Sequence, residues 1–243
     1  MIYNKNCLDA LKDLRDQSFD LCITSPPYNM RLRIQHGKYT TREKTNHFSK
    51  KYKTFGDDMP IDDFYKFHSD VLSQLIRVSN LTFYNISIVT GSKRAFFRLI
   101  GDFSEHLKEI IVWDKKHPAP SIKNGVLNRR SELILVFGDN PISRVFENAN
   151  WDRGFLDDLW ELGRGRSEIN TNSATFPLSL PTKILSMFGF DNCRVIDPFL
   201  GSGTTAIAAH DFGYDFLGFE LDLETFILAK QRIENHKKQL KLW

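Results

Sequence analysis

Two adjacent prolines, Pro26 and Pro27, stand just behind the apolar run Phe19-Asp20-Leu21-Cys22-Ile23. The run reads as a buried β-strand. Neither proline can donate to a sheet ladder, so strand pairing has to stop there. The whole stretch is Thr24-Ser25-Pro26-Pro27-Tyr28-Asn29. It puts a stiff backbone with outward-facing carbonyls at the C-terminal end of the strand, followed by an aromatic ring and a polar amide. A rigid acceptor edge beside a flat ring suits a flat ligand that carries an amino group.

Around that point the chain alternates strand and helix signals. Asn6 is placed to cap a short helix over Cys7 to Leu14, where Leu8, Leu11 and Leu14 recur at helical spacing. Residues 30–60 are polar, basic and weakly periodic, and read as a long loop. Asp62 or Asp63 is the expected cap of the next helix, in which Phe64, Phe67, Val71, Leu75 and Val78 keep a 3.6-residue period. Leu81 to Val89 reads as a strand, Arg94 to Phe103 as a helix, and Glu109 to Trp113 and Glu132 to Phe137 as short strands. Residues 114–131 and 138–175 read as loop or irregular chain. Pro181 to Phe188 is a helix signal, and the last strand, Phe216 to Phe219, precedes a helix carrying Leu223, Phe226, Ile227 and Ile233. The alternation predicts an α/β fold: one doubly wound, mostly parallel sheet with helices on both faces.

The length of 243 residues suits a single domain over 1–243. No apolar run approaches the roughly 20 residues of a membrane helix, and no signal peptide is visible, so no membrane and a cytoplasmic location are expected. Cys7, Cys22 and Cys193 are isolated and odd in number, which speaks against a disulfide framework, and the scattered histidines suggest no metal. Charge is uneven. Between Arg31 and Lys53 lie eight Lys and Arg against one Glu, a net +7, while the whole chain carries +3, which leaves −4 for the rest. A basic stretch on a mildly acidic body fits a polyanion. A solvated loop is the plain alternative, but Tyr39, His47, Phe48 and Tyr52 interleave with the charges and favour nucleic acid.

A second informative stretch is Asp197-Pro198-Phe199-Leu200-Gly201-Ser202-Gly203-Thr204-Thr205, placed between a short strand and a helix. Such a turn lets the backbone approach a ligand at the helix N-terminus. Glu220, at the end of the next strand, is suited to accept from both hydroxyls of a ribose. No Lys follows the glycines, so this is not a phosphate-gripping P-loop.

Taken together, the two stretches resemble the amino-methylating DNA methyltransferases that use S-adenosylmethionine. Thr24 to Asn29 looks like that family's catalytic (D/N/S)PP(Y/F/W) motif, and Asp197 to Thr205 like its DPFxGSGTT cofactor motif. The catalytic motif comes first, which is the order of the β group and implies a Rossmann-like methyltransferase fold. Ile110 to Lys115, Arg130 to Phe137, Asp158-Leu159-Trp160, Thr175-Phe176-Pro177 and Phe216 to Glu220 are similar to further family segments, so the resemblance spans nearly the whole chain. It implies Ser25, Pro26, Pro27 and Tyr28 as the catalytic set. It implies a cofactor site of Asn6, Cys7, Asp197, Phe199, Gly201, Ser202, Gly203, Thr204, Thr205 and Glu220. At Asn6 the family more often has an acid.

An exocyclic amine is a poor nucleophile because its lone pair is delocalised into the ring. Ser25 Oγ and the Pro26 carbonyl are the candidate acceptors for its N–H groups, fixed before reaction, and Tyr28 is placed to stack on the base. Transfer is then direct, with no covalent enzyme intermediate. In double-stranded DNA the target base has to be flipped out. Within the basic loop 31–56, Arg31, Arg33, Lys38, Arg42, Lys50 and Lys51 are the expected phosphate contacts. Segment 140–172, with Arg164 and Arg166, is the expected target-recognition region; those arginines suit guanine edges, phosphates or a cover over the cofactor equally. Ser25 resembles the N4-cytosine enzymes, with N6-adenine as the alternative. A methyltransferase of RNA or of protein glutamine, and an inactive DNA-binding module, are the other readings. A cognate restriction endonuclease and a homodimer are compatible partners that the sequence does not decide.

Overall fold

The computed structural model describes residues 1–30, 32–35, 38–41, 58–119, 124–139, 143–163 and 176–239, with the backbone alone at 32–35, 39–41 and 118–119. Along the first half run β1 (Ile2–Asn4), α1 (Cys7–Lys12), β2 (Phe19–Thr24), β3 (Leu32–Gln35), β4 (Lys38–Thr41), α2 (Ile61–Val78), β5 (Ser79–Ile86) and α3 (Lys93–Asp102). Then follow β6 (Leu107–Ala119), β7 (Arg129–Gly138), β8 (Leu159–Glu161), α4 (Ser179–Phe188), β9 (Arg194–Asp197), α5 (Thr204–Asp211), β10 (Asp215–Glu220) and α6 (Leu223–Gln239).

Eight strands form one sheet in the order β1-β10-β9-β2-β5-β7-β6-β8. The pairs β1/β10, β10/β9, β9/β2, β2/β5 and β6/β8 are parallel; β5/β7 and β7/β6 are antiparallel. The sheet is therefore mixed and mostly parallel, as expected. From β9 the chain winds through α5 to β10 on one side, and from β2 through α2 to β5 on the other. The crevice between β9 and β2 is thus a topological switch point, where α/β sheets bind ligands at the C-terminal ends of their strands. The Pro-Pro turn follows β2 and the glycine-rich turn follows β9.

Each face of the sheet carries its own core. Cys22, Tyr84, Ile86, Leu135 and Phe137 meet Leu11 of α1, Phe64, Val71, Leu72 and Leu75 of α2, and Phe96 and Leu99 of α3. Leu21, Ile23, Phe83, Ile134 and Val136 meet Leu180, Ile184, Leu185 and Phe188 of α4 and Ala208 and Ala209 of α5. Successive strand residues point to opposite faces, so β2 supplies both cores. Burying each Leu, Val or Phe of α2 is worth roughly 1.5–3 kcal/mol.

Several expectations need correction. Residues 32–35 and 38–41, expected in a loop, form an antiparallel ribbon with Leu32 opposite Thr41 and Gln35 opposite Lys38. Helix α2 has Pro60 at its cap position, so Asp62 and Asp63 lie inside the first turn, where they complement the helix dipole. Strand β6 runs on to Ala119, well into the expected loop, with a register shift between Asp114 and Ala119. Strand β8 falls within the segment read as irregular, and its Trp160 is fully buried.

Candidate active site

Strands β2 and β9 lie side by side, with Cys22 opposite Ile196. Just beyond that pairing, Thr24 Oγ1 donates to Asp197 Oδ1 at 2.6 Å. Asp197 Oδ1 also accepts from the Phe199 N–H at 3.0 Å, and Oδ2 accepts from Thr205 Oγ1 at 2.7 Å. The carboxyl is only 2% exposed. Burial pushes it up to about 6, against the downward pull of these three donors. Asp197 thus spends its oxygens inside the protein, clamping the strand that carries the Pro-Pro turn to the turn that carries the glycines.

Beyond Asp197 the chain bends sharply. Gly201 and Gly203 have φ of +52° and +80°, the left-handed region that glycine enters without steric cost. Glu220, at the end of β10, accepts from the Gly201 N–H at 2.9 Å through Oε2 and from the Asp222 N–H at 3.0 Å through Oε1. Burial raises its carboxyl above the ordinary carboxylate range. Strand β1 pairs with β10 so that Asn4 lies opposite Glu220, and Asn4 Nδ2 donates to the Glu220 carbonyl at 2.8 Å. This brings Asn6 and Cys7 beside the same strand end. Asn6 Oδ1 accepts from the Leu8 N–H at 2.9 Å, capping α1 as expected, and Cys7 is buried with its thiol pushed up to about 12. On the other side Arg232 of α6 donates to the Ser202 carbonyl and to Thr204 Oγ1, both at 3.1 Å. Phe199 stays half-buried and meets Phe67 edge to face.

The Pro-Pro turn is more deeply set than its sequence suggests. Tyr28 is 6% exposed. Its hydroxyl lies 2.6 Å from Ser25 Oγ and accepts from Asn85 Nδ2 at 2.8 Å. Asn85 Nδ2 also donates to Glu132 Oε2 at 2.8 Å, and Glu132 Oε1 is ion-paired with Lys115, both side chains nearly buried. Asn29 sits at φ +56°, fully buried, and its Nδ2 donates to the Met59 carbonyl at 2.9 Å and the Gly91 carbonyl at 3.1 Å. His68 lies behind the turn among Phe64, Phe67, Tyr84 and Phe96, with burial pushing its imidazole down to about 3. Sequence reasoning assigned no role to Asn85, Glu132 or Lys115. The signal was there: Lys115 and Glu132 are polar residues in two of the strands that carry the family resemblance.

Of the expected DNA contacts, Arg31, Arg42, Lys50, Lys51, Arg164 and Arg166 lie outside the described residues, and Arg33 is described by its backbone alone. Lys38 is exposed on β4. The described part of 140–172 packs on the sheet through Phe146, Trp151, Leu156, Trp160 and Leu162. Among the described residues His210, Asp211 and His236 bring metal-ligand atoms within 4.8 Å of one another at the far end of α5, where His236 and Asp211 share a 2.6 Å hydrogen bond.

No helix among the described residues is long and apolar enough to cross a membrane. The M.BglII Type II methyltransferase of Bacillus subtilis is 25% identical over 95% of this chain and 68% of its own length. The M.MjaI Type II methyltransferase of Methanocaldococcus jannaschii is 24% identical over 96% and 91%. Among solved structures, the PvuII DNA methyltransferase (cytosine-N4-specific) superposes with a TM-score of 0.68 over 98% of this chain and 91% of its own, at 15% identity. The M1.HpyAVI–SAM complex does so with a TM-score of 0.61 over 96% and 98%, at 24% identity. The family model for the N6/N4 DNA methylases matches residues 19–231, from the first residue of β2 into α6, and so takes in both turns. The chain belongs to that DNA methylase family.

Proposed function

We propose that this chain transfers a methyl group from S-adenosylmethionine to the exocyclic amine of a base flipped out of double-stranded DNA, N4 of cytosine in preference to N6 of adenine. The observation that carries the reading is the 2.6 Å bond between Thr24 and Asp197, which sets the Ser25–Tyr28 turn beside the glycine-rich turn across the switch point. The cofactor fits the residues present. Among the described residues each Glu220 oxygen has one protein donor, which leaves a lone pair on each for two neighbouring hydroxyls. Phe199 offers a half-buried ring, and the Gly201–Thr205 turn brings backbone close. Asn6, Cys7, Ser202, Gly203 and Thr204 complete the cradle, with Asp197 and Thr205 holding it from beneath.

When bound, the cofactor supplies an electrophilic methyl group that needs no activation by the protein. The chain's own work falls on the amine. Ser25 Oγ and the Pro26 carbonyl accept from its N–H groups and localise its lone pair, Pro27 keeps the turn stiff, and Tyr28 supports the base. Fixed acceptors act without reorganising at the moment of reaction. Ser25 at the first motif position supports cytosine. The likeness to Type II methyltransferases supports a restriction endonuclease of the same specificity as partner.

Incubation of unmethylated DNA with labelled S-adenosylmethionine, followed by digestion to nucleosides, tests this. N4-methylcytosine is the expected product. N6-methyladenosine would move the target to adenine while keeping the mechanism, and 5-methylcytosine would overturn the mechanism.

A further inference from the structure

Asn85, Glu132 and Lys115 share one face of three adjacent strands. In β5/β7 Asn85 is opposite Ile134, two residues from Glu132; in β7/β6 Glu132 is opposite Trp113, two residues from Lys115. Diagonal neighbours on one face are within reach of long side chains. Lys115 is held in place from its own strand. The neighbouring Asp114 is gripped through both oxygens by Arg130 at 2.5 Å and accepts from the Lys116 N–H at 2.8 Å. Lys115 also lies 5.3 Å from the centroid of the Trp113 ring. A buried ion pair is thus built into the sheet directly beneath the Ser25–Tyr28 turn.

Proton counting gives this arrangement a direction. Lys115 only donates, and the Glu132 carboxylate only accepts. Asn85 Nδ2 donates to Glu132 Oε2 and to Tyr28 Oη, each at 2.8 Å, and more weakly to Ser25 Oγ at 3.4 Å, so its amide is oriented with the nitrogen toward the carboxylate. Tyr28 Oη has one proton and two lone pairs. The Asn85 N–H takes one lone pair. Glu132 Oε2 and the Asn85 backbone carbonyl, both at 3.3 Å, are groups that only accept and stand ready for that proton. A hydrogen bond to an ionised acceptor is roughly twice as strong as a neutral one. With the proton drawn inward, an Oη lone pair is left to accept from the Ser25 hydroxyl, whose Oγ lies 2.6 Å away.

We infer that Glu132, held by Lys115 and relayed through Tyr28, fixes the hydrogen-bond polarity of Ser25, so that Ser25 meets the target amine with lone pairs and not with a proton. The inference rests on the reading of Ser25 as the acceptor of that amine. The reverse polarity is unproductive. A Ser25 hydroxyl donating to the amine nitrogen would tie up the lone pair that has to attack the methyl group. Glu132, Lys115 and Asn85 are positioning residues, since they act through Tyr28 and Ser25.

Two variants and their combination test it. In Glu132→Gln, Lys115 claims the amide oxygen, and the amide nitrogen turns toward Tyr28 and reverses the relay. Tyr28→Phe keeps the ring and removes the relay. Each single variant should lower kcat about 100- to 1,000-fold, the range for loss of one preorganised hydrogen bond, with KM for DNA and Kd for S-adenosylmethionine within about threefold of wild type. Because Glu132 acts through the Tyr28 hydroxyl, the double variant should be no slower than Tyr28→Phe alone, whereas independent effects would multiply. Multiplied losses in a double variant that still binds cofactor would overturn the inference. So would an unchanged kcat in Tyr28→Phe, which decides the matter even if Glu132→Gln fails to fold. If the wild-type chain methylates DNA and both single variants match it, only this inference falls. If the wild-type chain binds cofactor and methylates no DNA, the functional reading falls with it.

Discussion

Asp197 carries a burden that its neighbours only partly lift. A fully buried carboxyl with three hydrogen-bond donors still sits near 6, because desolvation outweighs those bonds. Relative to an unfolded value near 3.9 the shift is about two units, on the order of 3 kcal/mol. The folded pKa is raised, so the folded chain binds more protons than the unfolded chain between about pH 4 and 6. This contribution is fully present below the unfolded pKa and is lost as pH rises through 6. Asp197→Asn removes the titration while keeping a polar group of the same shape. The stability of the wild type minus that of Asp197→Asn should fall from pH 4 to 6.5 and stay level above 7, measured by denaturant unfolding. A difference that is level throughout would show that the carboxyl is not raised. The comparison has to be a difference, because His68 works in the opposite sense. Its folded pKa is depressed to about 3, so its contribution is lost as pH falls below 6.5. The sequence showed Asp197 as a motif residue, but not that its oxygens face inward. That depends on Thr24, 173 positions away, which only the pairing of β2 with β9 brings into reach.

At the scale of elements, the join between α5 and α6 sets the shape of the glycine-rich turn. Gly203 stands at the cap position of α5 with φ +80°, and a Cβ there would lie 2.9 Å from Ile233 Cδ1 of α6. Gly203→Ala therefore meets both backbone strain, about 1–2 kcal/mol for a left-handed L-residue, and a side chain that has to move. At about 2–4 °C per kcal/mol for a chain of this size, Tm should drop by several degrees. Ile233→Val in the same chain should return part of that loss by opening the contact, and leave the strain. No recovery would mean that packing against α6 is not the cause. This scale also shows where sequence was readable and where it was not. Helices α1 and α2 announced themselves, because their periodicity records a face that has to be buried, and strand β2 did so as an apolar run buried on both faces. Strand β1 has three residues and β8 has three. Neither is long enough for alternation to show, and each exists because a neighbouring strand offers an edge. The ribbon of β3 and β4 was masked by its own charges: alternation of Leu32, Ile34, Tyr39 and Thr41 is present, but the basic residues between them read as loop. Both turns of the candidate site were legible, since prolines and glycines act locally. The Lys115–Glu132–Asn85 group under the Ser25–Tyr28 turn was not, since it is assembled from three strands.

For the whole molecule the asymmetry of charge matters more than its sum. A net +7 between Arg31 and Lys53 stands against −4 on all the rest, so a polyanion would be drawn to the chain that follows the Ser25–Tyr28 turn, while the body is mildly repelling. Lys38 is the expected phosphate contact whose exposed side chain is described, on the ribbon close behind Tyr28 in sequence. If it neutralises one phosphate, its loss removes one released counterion. The slope of log K against log salt is about −0.9 per phosphate contact on duplex DNA. Lys38→Ala should then make the slope shallower by about one, weaken binding evenly across sequences, and leave the identity of the methylated base unchanged. The measurement is a salt titration of DNA binding by wild type and variant, with methylated nucleosides identified in parallel. An unchanged slope would return the ribbon to the solvated alternative. A change in which base or sequence is methylated would mean that β3 and β4 read bases. Position and readout would then share one element, and the search for recognition residues would move from 140–172 to the ribbon itself.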